Sequence, residues 1–380
     1  MGITSNSDWE LRSIGSITDV FAGGTPSTQV DSYWGGEIRW MNSGELNLRK
    51  VFEVENRITE EGLKNSSARL IPKNCVLIGL AGQGKTRGTV ALNRVELTTN
   101  QSVAAIYPSK DFVPEYLYYN LDLRYNEIRD LSDGGGGRGG LNLKIIKSID
   151  VPLPGLEEQK AIAKALSDVD ELIESIDGEV RKKKNILKGF QQSLISGDYF
   201  KKNNISFEIM QIQNLPIEIK RGQLITGSTK VDGNIPVIAG GISAAYFNNI
   251  ANRFGKTITI SASGANAGFV NLWRSDIWAS DCSTIGESEV YEVLYIFYVL
   301  KEKQKELFDA QYGGGQPHIR PKEIGEISIP WISKDNQKDL VVILEGLSKE
   351  IEILEIELSK YECIKQGMAH DLLTGKVRLV

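Results

Sequence analysis

Glu157-Glu-Gln-Lys-Ala-Ile-Ala-Lys-Ala-Leu-Ser-Asp-Val-Asp-Glu-Leu-Ile-Glu-Ser-Ile-Asp-Gly-Glu-Val180 opens the stretch that decides the fold. Its apolar residues Ile162, Leu166, Val169, Ile173, Ile176 and Val180 advance by alternating steps of four and three, the seam spacing of a coiled coil. The pattern continues through Leu187, Phe190 and Leu194 and stops at Gly197, a helix-ending glycine. It then recurs 178 residues later: Leu340, Leu344, Leu347, Ile351, Leu354 and Leu358, with Met368 and Leu372 before Gly375. A helix of about 40 residues is roughly 60 Å long. Two such helices with matching seams predict a pair. The first is acidic over Asp168–Glu179 and basic over Arg181–Lys188, and the second is acidic over Glu350–Glu357 with Lys360 and Lys365 beyond. Only an antiparallel pairing sets unlike halves against each other.

The segments before the two helices also correspond. Glu37–Met41 is answered by Asn234–Ile238, and Ile78–Gly88 by Ile258–Gly268 at an offset of 180. Tyr116–Leu121 is answered by Tyr295–Leu300, and Val151–Pro154 by Ile327–Pro330. Short apolar runs, turn clusters and an aromatic helix in each segment predict a mixed α/β domain. The plan is therefore domain 1–154, helix 155–200, domain 201–332, helix 333–380. This is one unit duplicated, an intrachain pseudo-two-fold with the domains separated by an antiparallel coiled coil.

Composition limits the function. The 380 residues carry a net charge of −5, three scattered cysteines and two histidines. Neither a disulfide framework nor a zinc site is expected. No run of 18 apolar residues and no leader is visible, which predicts a cytoplasmic protein without a membrane partner. A free-standing nucleic-acid binder is usually basic, so DNA contact would have to come from local patches or be shared with a partner.

Gly79-Leu-Ala-Gly-Gln-Gly-Lys-Thr86 satisfies the phosphate-loop pattern after an apolar strand. The following Arg-Gly-Thr-Val-Ala-Leu suits a second strand better than a helix, and the repeat partner lacks Gly-Lys-Thr. The alternative is a glycine-shaped hairpin presenting Gln83, Lys85, Thr86 and Arg87 in one domain and Ser261, Ser263 and Asn266 in the other. Such residues bond base edges and phosphates. The polar turns at Thr25, Ser27, Asn42 and Ser43, Arg138 within its glycine run, and Gln316, His318 and Arg320 after theirs, have the same character. No nucleophile elbow, amino-methyltransferase motif or histidine-based triad occurs, so no catalytic residue and no metal ligand is expected.

These marks together resemble the specificity subunit of type I restriction-modification systems. They are Trp9-Glu-Leu, Gly23-Gly-Thr-Pro-Ser27, Val151-Pro-Leu-Pro-Gly-Leu-Glu-Glu-Gln-Lys160 and Leu372-Leu-Thr-Gly-Lys-Val-Arg-Leu379. The second copy departs at Trp331–Gln337 and lacks Gly-Gly-Thr-Pro-Ser. The resemblance implies a non-catalytic subunit that binds double-stranded DNA, each domain reading one half of a split target. Two modification subunits carrying S-adenosylmethionine would dock on the helices, and restriction subunits using ATP and Mg could join. The other classes open to this sequence are a P-loop nucleotide-binding protein using Gly79–Thr86 and a coiled-coil scaffold without DNA contact.

If the helices set the distance between half-sites, four residues inserted between Gly178 and Lys188 add about one turn, roughly 6 Å. The gap should then widen by about two base pairs while the bases read stay the same. Mapping the methylated sequence of the insertion variant checks this, and an unchanged gap would rule the helices out as the spacer.

Overall fold

The computed structural model describes residues 9–82, 86–132, 140–225, 232–313 and 315–380. The two long helices span Leu156–Ile195 and Lys334–Leu373, 40 residues each. Each stops on a glycine in the left-handed region, Gly197 at φ 78° and Gly375 at φ 72°, where a side chain would be strained. The chain divides into two compact units: Met1–Ser175 with Glu357–Val380, and Ile176–Ile356. Each helix thus gives one part to each unit.

In the first unit a five-stranded sheet is built from β1 (Val20–Ala22), β2 (Val76–Gly79), β3 (Val90–Asn93) and β4 (Val103–Ile106). Their order is β1-β4-β2-β3, with Lys50–Val51 at the edge. A three-stranded sheet pairs Trp34–Met41 with Asn56–Ile58 and, in parallel, with Thr98–Thr99. The strand Glu10–Ser13 pairs with Asp150–Leu153, which leads into the first long helix.

The second unit repeats this plan. Its larger sheet has the order β5-β8-β6-β7, from β5 (Lys220–Arg221), β6 (Thr257–Ser261), β7 (Val270–Trp273) and β8 (Cys282–Ile285). Ile235–Ile238 lies between Tyr246–Asn248 and a parallel Trp278–Ala279, as Trp34–Met41 does in its own sheet. Strand pairing corrects one correspondence. Val76 faces Ile106 and Ile258 faces Ile285, so Ile258 answers Val76, not Ile78.

Both domain cores extend onto the helices. Ile162, Leu166, Ala369 and Leu372 share one apolar cluster with Ile14, Tyr116 and Ile146. Leu194, Leu340 and Leu344 share another with Tyr295, Ile258 and Ile324. Of the twelve seam residues, Ile162, Leu166, Ile176, Val180, Leu340, Leu344 and Ile351 are buried. Val169, Ile173, Leu347, Leu354 and Leu358 are half-buried. The outer parts of the seam therefore face a domain core as well as the other helix.

The helices run antiparallel, as cross-helix ion pairs within each unit show. Lys365 meets Asp170 at 2.5 Å in the first unit, and Lys183 meets Glu350 at 2.8 Å in the second. Each fully buried Leu or Ile contributes about 1.5–3 kcal/mol, more than an ion pair that solvent screens. The seam holds the helices together, and the charges select their direction.

A buried glutamine fixes each domain to its helix. Gln159 accepts from the Val113 N–H at 2.8 Å and donates to the Pro154 carbonyl at 2.9 Å. Gln337 accepts from the Glu292 N–H at 2.8 Å and donates to the Ile332 carbonyl at 3.0 Å. A few residues on, Tyr116 donates to the Pro152 carbonyl and Tyr295 to the Pro330 carbonyl. A second tyrosine reaches the helix itself. Tyr119 bonds Ser167 and Asp170, while Tyr298 donates to Glu345.

The C-terminal segment closes the first unit. Arg378 bonds both carboxylate oxygens of buried Glu158 at 2.5 and 2.6 Å and stands over the Trp9 ring. In the second unit the chain runs on through Phe200 and Phe207, whose rings are in contact at 5.1 Å. No helix among the described residues is long and apolar enough to cross a membrane.

Replacing Gln337 with Leu leaves the Glu292 N–H and the Ile332 carbonyl buried without partners, which costs roughly 1–3 kcal/mol per group. Tyr295→Phe removes one bond and should cost about 1 kcal/mol. Urea unfolding of the two variants should show Gln337→Leu as clearly the more damaging.

Candidate nucleic-acid interface

The loops that carry the candidate residues all leave one end of each larger sheet. In the first unit, β1 ends where β4 begins, with Ala22 opposite Ala104. β2 ends there too, Gly79 facing Val103, and β3 starts there, Val90 facing Ile78. The Gly23–Ser27 turn, the 80–89 hairpin and the Asn100–Ser102 link therefore share one edge. The residue after the glycine run joins them, because the Leu141 N–H bonds the Leu80 carbonyl at 2.8 Å. Asn42 and Ser43 reach the same place, since the Met41 carbonyl accepts from the Asn100 N–H at 3.0 Å.

Close packing sets the Gly23–Ser27 turn. A Cβ on Gly23 would lie 2.1 Å from the Thr99 carbonyl oxygen, so no larger residue fits. The Trp40 indole donates to the Gly24 carbonyl and the Trp34 indole to the Ser27 carbonyl. The Thr25 hydroxyl donates to the Gln101 side chain at 2.5 Å. Ser27 is exposed. Asn42 is engaged otherwise: it caps a short helix, accepting from the Gly44 N–H and exchanging bonds with Glu45.

The phosphate-loop reading of Gly79–Thr86 fails on topology. β2 and β3 are antiparallel neighbours, and Gly79 and Gly88 close a hairpin through the bonds Gly79 N–H to Thr89 and Gly88 N–H to Gly79. A phosphate loop needs a helix N-terminus behind it, and this turn leads into a strand. Thr86 is half-buried in the hairpin. Arg87 is only 8% exposed, so its side chain does not stand at the tip as expected. Gln83, Lys85 and Arg138 lie outside the described residues.

The second unit gathers its residues in the same way. Ser261 ends β6, and its hydroxyl donates to the Gly240 carbonyl at 2.7 Å. It is buried, so it ties the two sheets together and is not a surface contact. Ser263 and His318 face each other in a β-bridge, and the Gly264 N–H bonds the Pro317 carbonyl. The Asn266 carbonyl closes the turn by accepting the Phe269 N–H, and Gln316 is exposed. Arg320 lies over the Tyr312 ring at 4.1 Å and binds Glu323, whose carboxyl it holds down at about 2. Burial pushes the Cys75 and Cys282 thiols up to about 12, so neither is a nucleophile at neutral pH.

Three features escaped the sequence. Gln101 holds Thr25. Asp281 accepts from the Ser263 hydroxyl. Gly222–Gln223 takes the place of Gly23–Gly24: the Gly222 N–H bonds Cys282 and the Gln223 N–H bonds Ala279, as Gly23 bonds Val103 and Gly24 bonds Thr99. A search for a second Gly-Gly-Thr-Pro-Ser passes over it, because only the backbone role is kept.

Comparison with known proteins gives a consistent picture. A family model described as the type I restriction modification DNA specificity domain matches residues 6–185 and 205–360. The MjaIX type I specificity subunit of Methanocaldococcus jannaschii is 36% identical over 173 residues, 44% of this chain and 39% of that one. The MjaVIII specificity subunit of the same organism is 25% identical over 427 aligned residues, covering the whole of this chain and 95% of its own. In structure, the S subunit of a type I system from M. genitalium superposes with a TM-score of 0.65 at 19% identity, over 98% of both chains.

The hairpin predicts that the isolated chain does not retain ATP. Calorimetric titration with ATP and Mg should give no saturable heat; binding that Lys85→Ala abolishes would restore the nucleotide reading.

Proposed function

The chain belongs to the type I restriction-modification DNA specificity family, and on that premise we propose that each of its domains reads one half of a bipartite double-stranded DNA target. The observation that carries this is the convergence just described. In both units the described loops that carry the candidate residues gather at the same end of the larger sheet, while the junction with the long helix is locked by backbone-directed bonds. A rigid base with variable loops at one end is how a scaffold presents side chains to a ligand. Direct readout needs such side chains at base edges in the major groove, and cations or amides at the phosphates fix register.

The chain then acts without catalysis of its own. Two modification subunits, holding S-adenosylmethionine, dock on the long helices, and restriction subunits bring ATP and Mg where the complex also cleaves. A net charge of −5 suits a subunit that reads bases while its partners share the phosphate contacts.

The test is methylation by the chain purified with its modification subunits, mapped by base-resolution sequencing. Substitutions at Thr25, Ser27, Gln83 or Lys85 should relax one half-site, and those at Asn266, Gln316 or Arg320 the other. A lost base contact should cost about 1–3 kcal/mol at one position, and a lost phosphate contact should weaken all sequences alike. Equal damage to both half-sites from every variant would refute the assignment.

A further inference from the structure

The link between the small parallel strand and the sheet differs between the two domains. In the first it is Asn100-Gln101-Ser102, and in the second Ser280-Asp281, one residue shorter. The frame around it is fixed. Asn100 bonds the Met41 carbonyl and Ser280 the Ile238 carbonyl, while Leu80 bonds the Ser102 carbonyl and Ala262 the Asp281 carbonyl. In each domain one side chain of this link receives a hydroxyl. Thr25 donates to Gln101, and Ser263 donates to Asp281.

The chemistry of the two receivers differs. An amide can donate as well as accept, whereas a carboxylate only accepts and offers about four lone-pair sites. Asp281 is half-buried, and among the described residues its carboxylate takes one hydrogen bond, from Ser263, and no ion pair. It stands beside the Ser263–His318 bridge, at the end of the sheet from which all the candidate loops leave. A carboxylate is repelled by phosphate, so it is out of place on a surface that only grips a DNA backbone. It suits a position that meets exocyclic amino groups, which in the major groove belong to cytosine and adenine.

We propose that Asp281, oriented by Ser263, is a specificity-determining residue of the second domain and accepts a hydrogen bond from the amino group of a cytosine or adenine. This rests on the DNA-reading assignment above. In the first domain Ser102 answers Asp281 in the frame of backbone bonds, and the hydroxyl is received by the extra residue Gln101, which has donor as well as acceptor character, so the two half-sites differ in chemistry at this point.

The experiment uses the full chain in complex with its modification subunits. Binding and methylation are measured on a pool of duplexes with the second half-site randomised one position at a time. The wild type should favour an amino-bearing base at one position by about 5- to 150-fold, the range a base-edge contact supplies. Asp281→Asn keeps the shape but adds a donor, so it can still bond adenine through N6 and N7 and can also meet the acceptors of guanine and thymine; the rejection of those two bases should be lost without changing the first half-site. Asp281→Glu keeps the acceptor and should retain the preference with weaker binding, which covers the case in which the Asn variant folds poorly. Ser263→Ala should blunt the preference at the same position. Unaltered base preference in Asp281→Asn, or an equal change in both half-sites, would overturn the inference and leave the DNA-reading assignment standing. A wild-type complex with no sequence preference at all would overturn both.

Discussion

Everything in this structure depends on how an irregular domain is attached to a straight helix, and one amide side chain does it twice. Gln159 and Gln337 are 1% and 0% exposed. Each spends its carbonyl on the N–H at the start of the aromatic helix and its amide on the carbonyl just before the long helix. Three chain segments are thereby tied by bonds that cannot be exchanged for water. Breaking one end strands a buried backbone group, so the joint holds as a whole or fails as a whole. Orientation at the junction is set by covalent geometry and two hydrogen bonds, and apolar packing of Tyr116 and Tyr295 fills the space around them.

That rigidity gives the opposite end of each sheet its freedom. Because the base is held, loops at the far end can lengthen, shorten or change polarity without moving the strands that carry them. The hairpin after β6 is shorter than the one after β2, yet Gly268 and Gly88 hold the same left-handed geometry, at φ 83° and 80°. The link at Asp281 has lost a residue within an unchanged frame of backbone bonds.

How far the sequence revealed this follows from what repeats in it. The helices are legible because the four-three seam is sustained over about 40 residues and recurs 178 residues later with the same glycine ending. The strand correspondence slipped by two at Ile258 because a shift of two residues in a strand returns every side chain to the same face. Apolar matching cannot see that error, and only the pairing of Val76 with Ile106 and Ile258 with Ile285 resolves it. Charge suggests exposure for Arg87, but the direction of a hairpin side chain is set by the pleat, and Arg87 is buried. Asp281 is not legible as a contact, because cations and amides are the residue types that mark DNA binding in a sequence and a carboxylate is not. The duplicated glutamines were visible as letters, but their buried bonds were not.

The tyrosine clasps have an evolutionary consequence. Along the first helix Ser167 precedes Asp170, and at the matching places on the second Glu345 precedes Ser348. The hydroxyl partner and the acid have traded places by one helical turn, and each tyrosine still finds its carboxylate. Compared position by position, the two halves score a mismatch at both places; compared as pairs, nothing has changed. A lineage passing from one arrangement to the other by single steps must cross an ancestor with two acids crowding one tyrosine, or with none, the latter leaving a cation such as Lys365 without its counter-charge. Each half keeps one acid and one hydroxyl within a turn of each other beside its tyrosine, so the trace of duplication is carried by the pair and not by either position.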